Sequence, residues 1–491
     1  MESQALPHII LIVMDSAGAK HCSAYGHFRD TTPGLKRLAE EGVLYRHCFT
    51  AAHSTIASHA SLFTGLYPGD HGCSMFNALP SDCFTLAEIL GDMGYRTVGL
   101  SSNLLVSHAY RFNQGFQEFY EMESLFNSER YYEAKSAFAS FKKESHKDWD
   151  RLRFLIKYSW QKNYYLYPVH NLLNRIYSKL QGRITHSSAA VTERTLRIAK
   201  KIMTEGAKKT PIFLFINFME THYNYNPPSN YNNIIKIDEA KKNAVLQLKP
   251  QDFYVGRGFS PEEIEILQLL YEQEIAYLDD RLWDLYLFLK NTGLSDNTMF
   301  IVTADHGDGF GEHGLWGHMF GLYNELIHIP LVIKYPESYG LRGESSNLVQ
   351  LHDLFATIAE MADCPHPVPD SSRSMLGVPR DFAMAEKYFM SFNAARFRQA
   401  DPNFQPLKTM QHCSALIDSE LRKLIMWADG RGELYNLKKD FAEENNLILH
   451  PEYQGVEQDL KQRLLPLISG RAGREKDVEE ELEEGVGSLG A

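Results

Sequence analysis

Short apolar runs, rich in β-branched residues, recur along the chain and predict buried β-strands. Between them lie segments with helical patterning, such as TTPGLKRLAEEG (31–42), whose final glycine is a typical helix stop. Apolar strands that alternate with helices are typical of parallel sheets joined by right-handed crossovers. The pattern therefore predicts an α/β fold with a largely parallel central sheet. The predicted strands are HIILIVM (8–14), YRTVGLS (95–101), PIFLFINF (211–218), TMFIVTA (298–304) and PLVIKY (330–335).

Polar side chains come soon after four of these predicted strands. In open α/β sheets, ligands bind in the crevice at the carboxyl ends of the strands. We therefore expect these side chains to meet at one edge of the sheet and to form the functional site. They are Asp15, Asn103, His222 and the pair Asp305-His306.

Breaks in the alternation of strands and helices define the expected domain organisation. Stretches at about 120–205 and 223–262 predict insertions over the site face of the sheet. Near the C-terminus, Asp429-Gly430 supplies turn chemistry between two strand-like runs, which predicts a small antiparallel-sheet subdomain. The expected division is 1–370 for the main α/β domain, 371–472 for the C-terminal subdomain and 473–491 for an acidic, disordered tail.

Composition and charge exclude several classes of protein. A net charge of -12 argues against a surface that binds nucleic acid, because such surfaces need an excess of Lys and Arg. The six cysteines show no CxxC or other metal-ligand spacing, which favours reduced thiols. The N-terminal region lacks the pattern of a secretion signal, and the apolar run at 8–14 is too short to cross a bilayer. We therefore expect a cytoplasmic enzyme without a transmembrane segment.

Two motifs carry candidate chemistry. TADHGDGFGEHG (303–314) places the Asp305 carboxylate beside the His306 imidazole after a strand, and such groups are ligands of zinc and manganese. HSTIASHASLFTGLYPGDHG (53–72) places Thr55 near a helix N-terminus, where an alkoxide or an anionic ester is favoured. Each motif also has a structural interpretation, with turn residues in the first and an N-cap threonine in the second.

Six segments spread along the chain can be compared with known families, namely MDSAGAKHCSAYG (14–26), TTPGLKRLAEEGVLYRHCFT (31–50), SHASLFTGLYPGDHG (58–72), TADHGDGFGEHGLWGH (303–318), IPLVIKYP (329–336) and ELYNLKKDFAEENNL (433–447). In this order they resemble the sulfatase family of the alkaline phosphatase superfamily. The resemblance covers almost the whole chain apart from the two insertions and the acidic tail. It implies an alkaline phosphatase-like sheet sandwiched by helices, and a metal-dependent hydrolase.

The resemblance implies a metal site with Asp15, Thr55, Asp305 and His306 as ligands, and Thr55 is also the implied nucleophile. Ser16 stands where many sulfatases carry a second metal-binding aspartate, and His306 stands where an asparagine is usual. These departures favour Mn²⁺ or Zn²⁺ as the divalent metal over a carboxylate-rich calcium site. Mg²⁺ and Ca²⁺ are the remaining options.

The nucleophile segment departs most from the family. Sulfatases read C-x-P-S-R here, whereas this chain reads Thr55-Ile56-Ala57-Ser58-His59. Oxidation of a cysteine or serine gives the formylglycine aldehyde, but oxidation of the secondary alcohol of threonine could give only a ketone. Formylglycine is therefore excluded. A threonine nucleophile is similar to those of the phosphodiesterase and phosphotransferase branches of the superfamily, which implies a covalent phospho-threonine intermediate.

Further side chains are assigned to the site by the resemblance. His222 would protonate or orient the leaving oxygen, and His318 stands at the position of a family lysine that contacts the transferred group. His59 replaces an arginine that supports the nucleophile, and a neutral imidazole would reduce the positive charge there. Asn77 and Asn103 are expected to donate hydrogen bonds to the non-bridging oxygens of the substrate. The chain contains 20 histidines, so a structural role is the alternative for each one.

The expected function is hydrolysis of phosphate diesters or phosphonate monoesters. The alternatives are a sulfatase that acts without formylglycine, a phosphotransferase, and an inactive binding module that has kept the fold. The expected partners are a small anionic ester substrate and, as one option, further copies of the chain in a homo-oligomer. No nucleic-acid specificity is expected.

Overall fold

The computed structural model describes residues 6–74, 77–123, 157, 189–207, 210–228, 231, 237–248, 258–388 and 407–469. Most of the insertion predicted at 120–205, part of the one predicted at 223–262, and the predicted acidic tail lie outside the described residues. No helix in this described part of the chain is both long enough and apolar enough to cross a membrane.

In the described residues, the central sheet consists of β1 His8–Met14, β2 Val43–Phe49, β3 Arg96–Ser101, β4 Glu118–Glu121, β5 Ile212–Phe218, β6 Thr298–Thr303, β7 Leu331–Lys334 and β8 Gly343–Gln350. Their spatial order is β4-β3-β5-β1-β6-β7-β2-β8. Strand β1 pairs in parallel with β5 and with β6, and every residue of β1 is buried. A strand covered on both faces requires an uninterrupted apolar run, which HIILIVM provides. The predicted largely parallel α/β sheet is therefore confirmed.

The α-helices of the described residues are α1 Pro33–Glu41, α2 Thr55–Thr64, α3 Pro68–His71, α4 Leu86–Asp92, α5 Ala189–Gly206, α6 Glu239–Val245, α7 Pro261–Asn291, α8 Asn324–Ile327, α9 Asp353–Met361 and α10 Gln454–Ile468. Helices α1 and α5 contact α7, whereas α2, α4 and α9 contact one another, and these two groups flank the sheet. The helix predicted at 31–42 is α1, which ends before Gly42. Short 3₁₀ helices span Ala19–His21, Ser23–Tyr25, His108–Tyr110, Ser295–Asn297, Glu312–Gly314, Glu337–Tyr339, Lys408–Met410 and Pro451–Tyr453.

The strand predicted at 330–335 is present, but its predicted parallel direction is wrong. Strand β7 pairs antiparallel with β6 on one side and with β2 on the other. The fully described connection between β6 and β7 contains the four-residue helix α8 and no helix that crosses the sheet face. The chain therefore re-enters the sheet from the edge at which β6 left it. An apolar run indicates that a strand is buried, but it carries no information about direction.

The predicted C-terminal antiparallel sheet is confirmed by β9 Phe382–Lys387, β10 Cys413–Asp418, β11 Arg422–Trp427 and β12 Gly432–Asn436. These strands lie in the order β12-β11-β10-β9, and α10 packs against β10 and β11. The Gln350 side chain at the end of β8 joins this small sheet to the large one. Its Oε1 accepts a hydrogen bond from Met384 N at 3.0 Å, and its Nε2 donates to Met384 O at 2.8 Å.

A buried ion pair makes a second connection between the small sheet and the site-bearing part of the chain. Lys423 of β11 has its Nζ 2.7 Å from Oε1 of Glu443, and both side chains are 0% exposed. The other oxygen of Glu443 accepts a hydrogen bond from Asn324 N, the first residue of α8, at 2.5 Å. The pair therefore fixes α8, which directly follows the loop of the predicted metal ligands.

We predict that Lys423→Met destabilises the protein by about 3–5 kcal/mol, because it leaves a buried carboxylate without its cation. Denaturant unfolding followed by circular dichroism measures this loss. The matched control is Lys438→Met, which removes an exposed ion pair with Glu420 and should change the stability far less. Equal losses in the two variants would contradict the role given to the buried pair.

Candidate active site

The ends of two neighbouring strands, β1 and β6, place the first candidate metal ligands. Strand β1 lies between β5 and β6, and the register of the two ladders brings their carboxyl ends level. One ligand atom from each of Asp15, Asp305 and His306 lies within 4.8 Å of the others, and all three side chains are buried. The structure therefore brings together the three residues that sequence analysis selected beside Thr55.

The two oxygens of the Asp305 carboxylate have different surroundings. Oδ1 accepts hydrogen bonds from the backbone N–H groups of Ser16 at 3.0 Å and of His306 at 2.9 Å. Oδ2 is buried and has no hydrogen-bond partner among the described residues. A buried carboxylate oxygen without a donor is costly unless a cation faces it. Two carboxylates, an imidazole and the Thr55 hydroxyl therefore form a donor set that fits a divalent metal ion.

Two side-chain amides hold the Asp15 carboxylate. Oδ2 of Asp15 accepts a hydrogen bond from Asn103 Nδ2 at 2.6 Å and a longer one from Asn217 Nδ2 at 3.4 Å. Asn103 thus orients a candidate metal ligand, and its contact with substrate stays a prediction. Sequence analysis missed Asn217, although a signal existed, because Asn217 is the one polar residue in the apolar run of β5.

The His306 imidazole presents one nitrogen to Thr55, the candidate nucleophile. Its Nδ1 donates to Gly307 O at 2.9 Å, which leaves the Nε2 lone pair directed toward Thr55 Oγ1 at 3.3 Å. Burial, together with repulsion from His318, lowers the pKa of His306 to about 3. The imidazole is therefore neutral near pH 7, as a metal ligand must be.

Thr55 is the first residue of α2, and its side chain is almost fully buried. Ser54 occupies the N-cap position, so the interpretation of Thr55 as an N-cap residue is wrong. The Thr55 hydroxyl lies where the free backbone N–H groups of the first helical turn favour a negative charge. Its position suits an oxygen that becomes an alkoxide or carries an anionic ester.

His59 lies one turn after Thr55 on α2 and is fully buried. Its Nδ1 donates to Thr55 O at 2.9 Å and lies 3.6 Å from Oδ2 of Asp305. Its Nε2 lies 3.4 Å from Asn217 Nδ2, which can only donate. These contacts hold the His59 imidazole between the Thr55 carbonyl, Asp305 and the Asn217 amide. The effect of His59 on the charge beside Thr55 stays a prediction.

His318 and His222 lie on the same side of the cluster. The His318 ring is 4.3 Å from the His306 ring and 5.3 Å from the His222 ring, measured between centroids. Burial lowers the pKa of His318, but the hydrogen bond from its Nδ1 to Asp308 Oδ1 at 3.4 Å and the charge of that carboxylate raise it above the ordinary value. This environment favours the protonated form of His318. His222 contacts the Tyr223 carbonyl through Nδ1 at 2.7 Å.

Residues outside the predicted set support these groups. The Tyr225 hydroxyl donates to Asp308 Oδ2 at 2.5 Å, and His53 Nδ1 donates to His318 O at 2.6 Å. Asp308 was detectable from its place in the DHGDG run, but neither Tyr225 nor His53 has a sequence signal that separates it from structural residues. Asn77 is partly buried in the segment between α3 and α4, and its contact with substrate stays a prediction.

The backbone after β1 is held in a left-handed conformation beside Asp15. Ser16 has φ 64° and takes the place of the second aspartate of many sulfatases. The Tyr271 hydroxyl, from α7, donates to Ser16 O at 2.7 Å and accepts from Gly18 N at 2.8 Å. This clamp directs the Ser16 N–H toward Asp305 and thereby fixes the relative position of the two candidate carboxylate ligands.

Comparison with known proteins agrees with this geometry. The sequence profile described as Sulfatase matches residues 7–364, which is more than half of the chain. The chain belongs to the sulfatase family. A second profile, described as N-sulphoglucosamine sulphohydrolase, C-terminal, matches residues 311–469 of this sulfatase-family chain.

Two relatives and one solved structure illustrate the range of the family. The chain is 21% identical to an arylsulfatase of Clostridium perfringens, with 95% of each chain covered. It is 24% identical to the multifunctional alkaline phosphatase superfamily protein PehA of Trinickia caryophylli, with 90% of each chain covered. The crystal structure of a phosphonate monoester hydrolase of Agrobacterium radiobacter superposes with a TM-score of 0.67 and 19% identity, covering 95% of this chain and 96% of that one. The sulfatase-family chain is therefore a hydrolase of ester bonds with an alkaline phosphatase-like fold.

We predict that Asn103→Ala weakens metal binding by about 10–100-fold, because the variant loses the amide that orients Asp15. Metal titration against a competing chelator measures the affinity without reference to any substrate. Asn77→Ala is the control, since this residue is expected to contact substrate and should leave metal affinity unchanged. A metal affinity of Asn103→Ala equal to that of the unmodified protein would refute the orienting role.

Proposed function

We propose that this protein hydrolyses phosphate diesters or phosphonate monoesters through a covalent intermediate on Thr55. The main support is the nucleophile itself, a threonine hydroxyl 3.3 Å from His306 Nε2 and beside two buried carboxylates. Threonine cannot become formylglycine, so sulfate cannot leave by elimination from a hydrated aldehyde. An ester of the Thr55 oxygen must instead be hydrolysed at phosphorus or sulfur. The likeness to a phosphonate monoester hydrolase and to a multifunctional relative supports phosphorus.

The residues of the site divide the reaction between them. Asp15, Thr55, Asp305 and His306 would hold the divalent cation, proposed to be Mn²⁺ or Zn²⁺, which would lower the pKa of the threonine hydroxyl and neutralise charge on the transferred group. The deprotonated Thr55 oxygen attacks phosphorus, and the bond from phosphorus to the leaving-group oxygen breaks. Water then attacks the phosphorus of the phospho-threonine, gives one proton to the imidazole that had protonated the leaving-group oxygen, and releases the deprotonated Thr55 oxygen.

His318 is the proposed proton donor to the leaving-group oxygen, and His222 is placed to assist it. Asp308 accepts the hydrogen bond from Nδ1 of His318 and favours its protonated form. Such a pair of a carboxylate and an imidazole supplies a proton where an alkoxide leaves. The neighbouring His222 ring lies at an angle of 63° to the His318 ring and lines the same side of the site.

A sulfatase that works without formylglycine is the second candidate. Both matching sequence profiles carry sulfatase-type descriptions, and one relative is an arylsulfatase. In this case Thr55 would carry a sulfate ester, and water would have to attack sulfur. The choice between the two candidates rests on which substrate class is turned over faster.

A cytoplasmic location also remains our proposal.

We predict that the manganese-loaded enzyme hydrolyses a bis-aryl phosphate with a higher kcat/KM than the matching aryl sulfate. Thr55→Ala should lower the diesterase activity by at least about 10³-fold, because it removes the nucleophile. Thr55→Ser keeps a hydroxyl and should retain measurable activity. Mass spectrometry of acid-quenched turnover mixtures should show a phosphoryl adduct on the peptide that contains Thr55.

The matched control is Ser54→Ala, which removes a neighbouring buried hydroxyl that makes no capping hydrogen bond. This variant should form the same adduct at a similar rate. Faster turnover of the aryl sulfate would favour the second candidate, and an adduct in Thr55→Ala would exclude this residue as the nucleophile.

We predict that His318→Ala lowers kcat/KM for hydrolysis of esters with alkyl leaving groups by about 10²–10⁴-fold. The kcat/KM for nitrophenyl esters should fall much less, because good leaving groups depart without a proton. The ratio of the two kcat/KM values measures the effect. His313→Ala is the control, since the His313 ring stacks on Tyr323 at 3.8 Å and holds a turn. If both variants change the ratio equally, or His222→Ala alone changes it, His318 is not the acid.

A further inference from the structure

Two histidines and a glutamate form a second cluster, outside the candidate active site. Nδ1 of His21 and Nε2 of His27 each lie 3.1 Å from Oε1 of Glu272. One ligand atom from each residue lies within 4.8 Å of the others, and their side chains are 5%, 9% and 2% exposed. Tetrahedral zinc with bonds of roughly 2.0–2.1 Å holds its ligand atoms about 3.3 Å apart. The two short separations in the cluster are close to that spacing.

Two buried histidine nitrogens of the cluster make no hydrogen bond of good geometry among the described residues. Nε2 of His27 has no hydrogen-bond partner among the described residues, although it lies close to Glu272. The contact between His27 Nε2 and Glu272 therefore does not have the geometry of a hydrogen bond. Two atoms that bind the same ion approach each other in this way. A buried polar atom of this kind requires an explanation, and an ion is one.

His21 can release its Nδ1 at little cost. Its Nε2 is also buried and has no hydrogen-bond partner among the described residues. If the proton moves to Nε2, the imidazole gives up the Nδ1 hydrogen bond to Glu272, and a metal–ligand bond replaces it. The rings of Tyr271 and Phe310, with centroids 5.2 Å and 5.4 Å from that of His21, fix the orientation of the imidazole.

Arg29 binds one oxygen of Glu272, and the two histidines approach the other. Its Nη1 lies 2.8 Å from Oε2, whereas both histidines approach Oε1. A partner on the outer oxygen orients a ligating carboxylate, as is common around protein metal sites. The arrangement therefore presents one carboxylate oxygen and two imidazole nitrogens to a single point.

We propose that His21, His27 and Glu272 bind a second divalent cation of the zinc class, with one position left for water. Two imidazoles and one carboxylate are ligands typical of zinc, whereas calcium and magnesium prefer oxygen atoms alone. This cation would join the loop after β1 to α7. The preceding residue of that helix, Tyr271, holds Ser16 and Gly18 beside the active-site carboxylates. The second cation would thus stabilise the loop that follows Asp15.

Metal counting tests this proposal without any substrate. The protein is stripped with a chelator, dialysed against Zn²⁺ or Co²⁺, and analysed for bound metal per chain. The unmodified protein should bind two cations, and both His27→Ala and His27→Gln should bind one. Asp305→Ala should lose the active-site cation and keep the second one. Addition of the second cation should raise the thermal midpoint of this variant. With Co²⁺, it should also give the visible absorption of a four-coordinate site.

The control is His366→Ala, which removes a more exposed histidine beside Asp92 and should leave two cations bound. His27→Gln keeps a polar side chain of similar reach, so it tests the site even if the alanine variant does not fold. The proposal would be wrong if the cluster were only an ion-pair network around Glu272 that binds no metal. In that case His27→Gln would contain as much metal per chain as the unmodified protein, or Asp305→Ala would contain no metal.

Discussion

Two carboxylates are buried at the carboxyl edge of the central sheet, and the surrounding structure compensates for their charge. Asp15 and Asp305 are both fully shielded from solvent, where an ionised carboxylate is costly unless donors and a cation face it. On Asp305, one oxygen accepts backbone hydrogen bonds while the other faces the cluster without a donor among the described residues. On Asp15, two side-chain amides share one oxygen. The protein thus satisfies the hydrogen-bonding needs of part of each carboxylate and leaves the remaining oxygens for the proposed metal ion.

The strand order explains how distant parts of the chain supply these donors. Strands β3, β5, β1 and β6 are consecutive neighbours in the sheet, although they are far apart in the sequence. Asn103 follows β3, Asn217 lies in β5, and the two carboxylates follow β1 and β6. Helix α2 adds Thr55 and His59 to the site, and helix α7 adds Tyr271. The sheet therefore positions the candidate ligands, and helix α2 places the candidate nucleophile against them.

Much of this site could be predicted from the chain because its main residues follow apolar runs or lie in short glycine-rich motifs. Asp15 and the Asp305-His306 pair are of that kind. The direction of β7 could not be predicted, since burial of a strand does not depend on its direction. Tyr271 could not be predicted either, because its role depends on how a 31-residue helix packs against the loop after β1. A tyrosine on a helix has the same sequence signal whether its hydroxyl clamps a loop or merely fills a core.

The charge of the side chains near Thr55 bears on which substrate the site would favour. Burial lowers the pKa of His306 to about 3, so this imidazole is neutral near pH 7. The resemblance to sulfatases implies an arginine, which is always charged, where this chain has His59. A site with fewer fixed cations stabilises a dianionic phosphate monoester less than a monoanionic ester. Phosphate diesters, phosphonate monoesters and sulfate monoesters all carry one negative charge, so charge alone does not separate them. The separation must then come from the proposed ester on Thr55. A sulfate on this oxygen would lack the elimination route that formylglycine provides, whereas a phosphoryl group would be released by attack of water on phosphorus.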